Sequence, residues 1–139
     1  MINKKTIDLL IEKAKNARSL AYSPYSKFCV GAALLCADGE IFVGANVENS
    51  SYGATICAER VAFSSSLMQG KRDFEAIAIV GEECAKELQK YCPPCGICRQ
   101  FMAEFCKEDF EIVLFDGKEP KVKKLSELLP EAFDGSSLI

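Results

Sequence analysis

Whatever fold this chain adopts must bring two distant cysteine-bearing segments together. The first is Cys57-Ala58-Glu59 and the second is Pro94-Cys95-Gly96-Ile97-Cys98. Together they offer three thiolates, one too few to close a tetrahedral zinc site. Three protein ligands leave a fourth position for water, which marks a catalytic rather than a structural zinc. Glu59, a carboxylate two residues from the first thiolate, is placed to move the protons of that water.

The chain has eight cysteines and no histidine. Serine–histidine and cysteine–histidine catalysis are therefore excluded, as is every zinc site that needs imidazole. Acid–base work near neutral pH falls to Glu, Asp, Lys, Tyr or Cys. Met1 to Leu20 is interrupted by Lys4, Lys5, Asp8, Glu12, Lys13 and Lys15 and does not read as a signal peptide. No apolar run is long enough to span a membrane. The expected compartment is the cytoplasm, where clustered cysteines read as metal ligands rather than disulfides. Cys29, Cys36, Cys84 and Cys106 are expected to be small buried hydrophobes.

The 139 residues match one domain, 1–139, and a 49% hydrophobic content supports a full core without staples. Net charge is −3 with no basic run, so the chain lacks the electrostatic footprint of a nucleic-acid binder. A small neutral or cationic substrate is expected.

Ile7, Leu10, Ile11, Ala14, Ala17 and Ala21 recur at helical spacing. Phe28 to Cys36 reads as a strand buried on both faces, Asp38-Gly39 as a hairpin turn, and Ile41 to Ala45 as the antiparallel return. Asn46 to Ala54 reads as loop and Ile56 to Met68 as a helix. Phe74 to Val80 is a predicted strand, and Glu82 to Lys90 a polar turn or short helix. Pro94 precedes a helix over Cys95 to Cys106. Glu111 to Phe115 and Lys121 to Leu125 complete the strands. An opening hairpin followed by alternating helices and strands predicts an α/β fold, a three-layer α/β/α sandwich around a mixed five-stranded sheet.

Both cysteine segments fall at predicted helix N-termini, where free N–H groups and the helix dipole offset thiolate charge. Arg60 could offset more by donating to ligand sulfurs; by position alone it reads as a surface ion pair. Two other sites use the cysteines differently. Cys92, Cys95, Cys98 and Cys106 could close a structural zinc site or hold an iron–sulfur cluster, but Cys106 lies about three turns down the helix from Cys95. The role of Cys92 stays open.

The C-x-E and P-C-x-x-C pieces resemble zinc nucleoside and nucleobase deaminases. Nearly the whole chain is similar to the small homotetrameric cytidine deaminases. The resemblance runs through Ser23-Pro24-Tyr25-Ser26-Lys27-Phe28, Asn46-Val47-Glu48-Asn49-Ser50-Ser51-Tyr52-Gly53, Cys57-Ala58-Glu59-Arg60, Pro94-Cys95-Gly96-Ile97-Cys98-Arg99-Gln100 and Leu128-Leu129-Pro130-Glu131-Ala132-Phe133. It implies one zinc per subunit on Cys57, Cys95 and Cys98. It implies that Glu59 takes a proton from zinc-bound water, delivers it to ring nitrogen 3 of cytosine, and later protonates the departing amino group. It implies that the Ala58 N–H holds the ring carbonyl oxygen, that Asn46 and Glu48 bind the ribose 3′-hydroxyl, and that Phe28 packs on the base. Arg60 and Gln100 would surround the thiolates, and Tyr52 and Phe133 would complete a neighbouring subunit's pocket.

The residues themselves support part of this. Asn46 and Glu48 alternate at a strand end and can share one face, and a carboxylate suits a sugar hydroxyl better than a phosphate. Without the resemblance they read as a loop cap and Phe28 as a core residue, while Phe133, apolar in a polar tail, reads as either a tail anchor or an intersubunit contact. The expected activity is hydrolytic deamination of cytidine and 2′-deoxycytidine in pyrimidine salvage, by a homotetramer that binds a small nucleoside, no nucleic acid and no membrane.

Overall fold

Two glycines let helices lie directly on the sheet. A Cβ on Gly31 would overlap the Ala14 carbonyl, and one on Gly44 would overlap the Ala58 carbonyl. The computed structural model describes residues 1–139. Its elements are α1 (Lys4–Arg18), β1 (Phe28–Cys36), β2 (Ile41–Ala45), α2 (Ala58–Met68), β3 (Phe74–Glu83), α3 (Gly96–Phe105), β4 (Glu111–Phe115), β5 (Pro120–Lys124) and α4 (Leu125–Leu128). Short 3-10 turns occupy Tyr52–Ala54 and Gly135–Ser137.

The five strands form one mixed sheet in the order β2-β1-β3-β4-β5. β3 and β4 are parallel, joined through α3; the other neighbours are antiparallel. Side chains alternate across this sheet, and both faces are buried. Ala33, Leu35, Ala76, Ala78, Val80 and Val113 pack against Leu10, Ile11 and Ala14 of α1. Ala32, Leu34, Ile77, Ile79, Ile112 and Leu114 face Ala58, Ala62 and Phe63 of α2 and Cys98 and Met102 of α3. The result is the expected three-layer α/β/α sandwich. Phe63 is fully buried and meets Phe74 edge-on at 5.1 Å, wedging α2 against the start of β3.

The two sheet rims differ. β2 exposes Val43 at its edge, whereas β5 begins with Pro120 and carries Lys121, Lys123 and Lys124. No helix is long and apolar enough to cross a membrane.

Three segments depart from expectation. β3 runs on to Glu83, through residues expected to turn, because Glu82 and Glu83 pair with Cys29 and Phe28 of β1. α2 starts at Ala58 rather than Ile56, since Ile56 bridges Val47. Leu125 leaves the edge strand to open α4 and is 4% exposed.

The cysteine expectation needs a larger correction. Cys36 is buried, but Cys29 and Cys84 are joined by a disulfide and are not isolated apolar fillers. The β1–β3 register brings their Cα atoms to 5.1 Å across a sequence separation of 55, within the range a disulfide spans.

Candidate active site

Cys57 is the N-cap of α2 and Cys95 the N-cap of α3. Each backbone carbonyl accepts the first bond of its helix, from Val61 N–H at 3.1 Å and from Arg99 N–H at 3.0 Å. Neither side chain caps its helix. The two sulfurs are thereby left to meet each other, at 3.8 Å. Cys98, in the first turn of α3, brings the third sulfur, and all three lie within 4.8 Å of one another. Their exposure grades from Cys95 at the surface, through half-buried Cys57, to buried Cys98.

Cys92 and Cys106 take no part in this group. The closed four-cysteine site and the iron–sulfur alternative therefore fail. Cys92 instead abuts Gly81 of β3 beside the Phe28 ring, and burial pushes its thiol up to about 11.

The electrostatics suit a cation. The Cys98 thiol bonds to Cys57, which pushes Cys57 down to about 5 and holds Cys98 protonated well above the ordinary thiol range. A metal would displace that shared proton, because thiolate rather than thiol is the ligand. Arg60 donates to the Thr55 carbonyl at 3.2 Å and approaches Cys57 Sγ at 3.9 Å, while its Nε is buried without a partner. A guanidinium so placed compensates surplus thiolate charge. Three clustered soft donors on two helix tips fit zinc.

Glu59 sits in the first turn of α2 and is 4% exposed. Burial pushes its carboxyl up to about 7, with the nearby Cys57 charge adding to the shift. A carboxyl poised there can both accept and return a proton near neutral pH.

The remaining expected residues sit on β1, on the loop that follows β2, on α3 and in the tail. Glu48 accepts the Tyr25 and Ser26 N–H groups at 3.0 and 3.1 Å and the Ser26 hydroxyl, which holds its carboxyl below the usual range. It borders a 340 Å³ cleft with Tyr25, Ser26, Asn49, Tyr52 and Thr55. A larger cleft of 680 Å³ contains no cysteine and includes Leu35, Asp73 and Glu111, at the opposite end of the sheet. The Asn46 amide donates to Ser23 Oγ and to the Phe28 carbonyl, and its oxygen accepts from Val30 N–H at 2.9 Å. It thus knots the Ser23–Phe28 turn onto β1. Gln100 reaches the Phe133 carbonyl at 2.7 Å, tying the tail to α3. Tyr52 and Phe133 are 76% and 62% exposed.

One bracing residue escaped the sequence reading. Arg99 donates to the Pro94 carbonyl at 2.8 Å and to the Leu128 carbonyl at 2.7 Å, fixing the cysteine loop against α4. Its place inside the Cys95–Gln100 motif was the available signal.

A mixed sheet that presents three cysteine sulfurs at two helix tips, beside a buried carboxyl, makes a site suited to a zinc ion and to proton transfer. The family model for the cytidine and deoxycytidylate deaminase zinc-binding region matches residues 4–114. A cytidine deaminase from Halalkalibacterium halodurans is 46% identical over 132 residues, 94% of this chain and 96% of that one. Another, from Sporosarcina psychrophila, is 44% identical over 133 residues, 95% and 94% of the two chains. The crystal structure of cytidine deaminase from Burkholderia pseudomallei superposes with a TM-score of 0.83 at 47% identity, covering 95% of this chain and all of that one. The chain belongs to the cytidine and deoxycytidylate deaminase family.

Proposed function

We propose that this chain hydrolyses cytidine and 2′-deoxycytidine to the uridine nucleosides and ammonia. The observation that carries the reading is the convergence of the Cys57, Cys95 and Cys98 sulfurs beside a buried Glu59. Cys57, Cys95 and Cys98 would hold zinc, which when bound would lower the pKa of the reacting water. Glu59 takes a proton from the water that enters at ring carbon 4 and passes it to ring nitrogen 3. It then carries the second proton to the amino group, which leaves as ammonia. Water and the nucleoside are consumed, and the uridine product and ammonia balance them.

The Ala58 N–H, free in the first turn of α2, holds the ring carbonyl oxygen. Phe28 packs against the base. Glu48 and Asn46 receive the ribose 3′-hydroxyl; the Asn46 oxygen keeps one lone pair after accepting from Val30, and the Glu48 carboxylate keeps acceptor capacity as well. Arg60 tempers the thiolates, while Gln100 supports the cysteine helix through the tail. The exposure of Tyr52 and Phe133 supports their entry into a neighbour's pocket in a homotetramer. One domain, 1–139, carries the activity, with one zinc per subunit, and it works in the cytoplasm.

An ultraviolet assay on cytidine, 2′-deoxycytidine, cytosine and deoxycytidine monophosphate tests the reading. Both nucleosides are expected to react, and free cytosine to be a poor substrate, since a site that bonds a hydroxyl rejects analogues lacking it by roughly ten-thousandfold. Activity on the monophosphate alone refutes the placement of Glu48.

A further inference from the structure

The Cys29–Cys84 bridge joins the start of β1 to the residue that follows β3, and neither cysteine belongs to the Cys57, Cys95 and Cys98 cluster. Phe28 pairs with Glu83 and Cys29 with Glu82, so the bond fastens the start of β1 to the end of β3. Cys29 directly follows Phe28. Ser26, whose N–H and hydroxyl hold Glu48, lies three residues before it. The bridge is therefore linked along the chain to the base-facing ring and to the ribose-facing carboxylate.

The backbone beside both cysteines is held out of its preferred regions. Lys27 has φ 61° and Ala85 φ 68°. Left-handed conformations of non-glycine residues persist only where their surroundings impose them. Three fasteners do so here. Arg18 donates to the carbonyls of Cys29, Glu82, Glu83 and Lys86 at 2.7 to 3.2 Å. The Cys84 N–H donates to the Lys27 carbonyl at 2.8 Å. The disulfide is the third, and the only one that chemistry can open.

It is also open to reagents. Cys29 and Cys84 are both half-buried and line a 580 Å³ cleft with Lys15, Arg18 and Lys27. No carboxylate lines this cleft, and neither Lys15 nor Lys27 forms a salt bridge. A cationic cleft around a reachable disulfide favours a small thiol that carries carboxylates.

We propose that Cys29–Cys84 is a reversible thiol–disulfide exchange site for a small carboxylate-bearing thiol, and that its state sets how firmly the nucleoside pocket's rim is held. The thiolate of one donor attacks a bridge sulfur; the S–S bond breaks, and the other cysteine leaves as a thiolate and takes a proton. The thiolate of a second donor attacks the donor sulfur of the mixed disulfide and releases the donors' own disulfide. Two electrons pass from two donor thiols to the protein, and the reverse reaction consumes the donor disulfide. Opening the bridge lets Lys27 and Ala85 relax, which loosens Phe28 and the Ser26–Glu48 contact without touching the sulfurs that hold zinc.

The inference rests on the nucleoside-pocket reading, and its test separates the two. The zinc-loaded enzyme is equilibrated in reduced and oxidised glutathione at defined ratios, alkylated and mapped by mass spectrometry, and KM, kcat and zinc content are measured on the same samples. A Cys29–Cys84 linked peptide is expected on the oxidising side. KM for cytidine should rise about three- to tenfold on reduction, with kcat and zinc unchanged. Cys29→Ser/Cys84→Ser should show the reduced KM at every ratio, and Cys84→Ser alone should trap one glutathione on Cys29. Alkylation of both cysteines at every ratio, or equal KM in the two states, overturns the inference and leaves the deaminase reading standing. Normal exchange without deamination in either state overturns the functional reading on which the inference stands.

Discussion

Gly44→Ala and Gly31→Ala form a matched pair that separates loss of stability from loss of chemistry. At Gly44 an added Cβ would overlap the Ala58 carbonyl and lie 2.6 Å from the Ala62 nitrogen and 3.0 Å from Val61 Cβ. Ordinary van der Waals contact begins at 3.4 Å, so α2 has to retreat by about 1 Å. At Gly31 the added Cβ would overlap the Ala14 carbonyl and lie 2.6 Å from the Arg18 nitrogen, so α1 retreats instead. Both changes overpack the core and should cost about 2 kcal/mol, a fall of roughly 8 °C in Tm. Only α2 carries Cys57 and Glu59. A displacement of about 1 Å at reacting groups costs on the order of a hundredfold in rate. Gly44→Ala should therefore lower kcat about a hundredfold, while Gly31→Ala keeps kcat within about threefold. Thermal unfolding followed by circular dichroism and steady-state kinetics below both Tm values make the comparison. Equal kcat losses in the two variants, or a normal kcat in Gly44→Ala, would refute the reasoning.

Glu59→Gln should retain zinc by elemental analysis and lose kcat by about a hundred- to ten-thousandfold, the range for a removed acid–base group. Cys57→Ala should lose zinc and activity together, whereas Cys92→Ala should keep both; metal content and the ultraviolet assay read the two variants side by side. Chelation should abolish deamination, and added zinc should restore it. Burial alone pushes the Cys106 thiol far above its ordinary value of 9.0. The folded state therefore favours the neutral form: stability is complete below about pH 9 and falls as pH rises beyond it, by at most about 1.4 kcal/mol per pH unit. Urea midpoints from pH 8 to 10.5 should fall with pH, and Cys106→Ala should lessen the fall by the share of one thiol while raised Cys36 and Cys92 keep the rest.

Local chemistry explains why parts of this molecule were legible in advance. Phe28 to Cys36 and Ile41 to Ala45 are apolar runs separated by Asp38-Gly39, and both strands match the reading to the residue. The Cys57, Cys95 and Cys98 cluster was legible because it is compressed into two short motifs, and the role proposed for Glu59 is read from the first of them. What remained hidden depends on partners far along the chain. Glu82 and Glu83 look like turn residues until β1 supplies their hydrogen-bond partners. The Cys29–Cys84 bridge needs that same register and has no local signal. Arg99 and Gln100 lie inside a legible motif, yet what they hold is the backbone at Leu128 and Phe133, which only the folded tail reveals.

The unlike rims of the sheet have a consequence for how copies of this chain can meet. Along β5, a proline without an N–H and three lysines confront any second strand with a missing donor and like charge. The β2 rim carries neither obstacle. Strand-to-strand addition can therefore happen once, β2 against β2, and then has no free template left. Open-ended edge-to-edge polymerisation of the folded chain is thereby blocked from within the monomer.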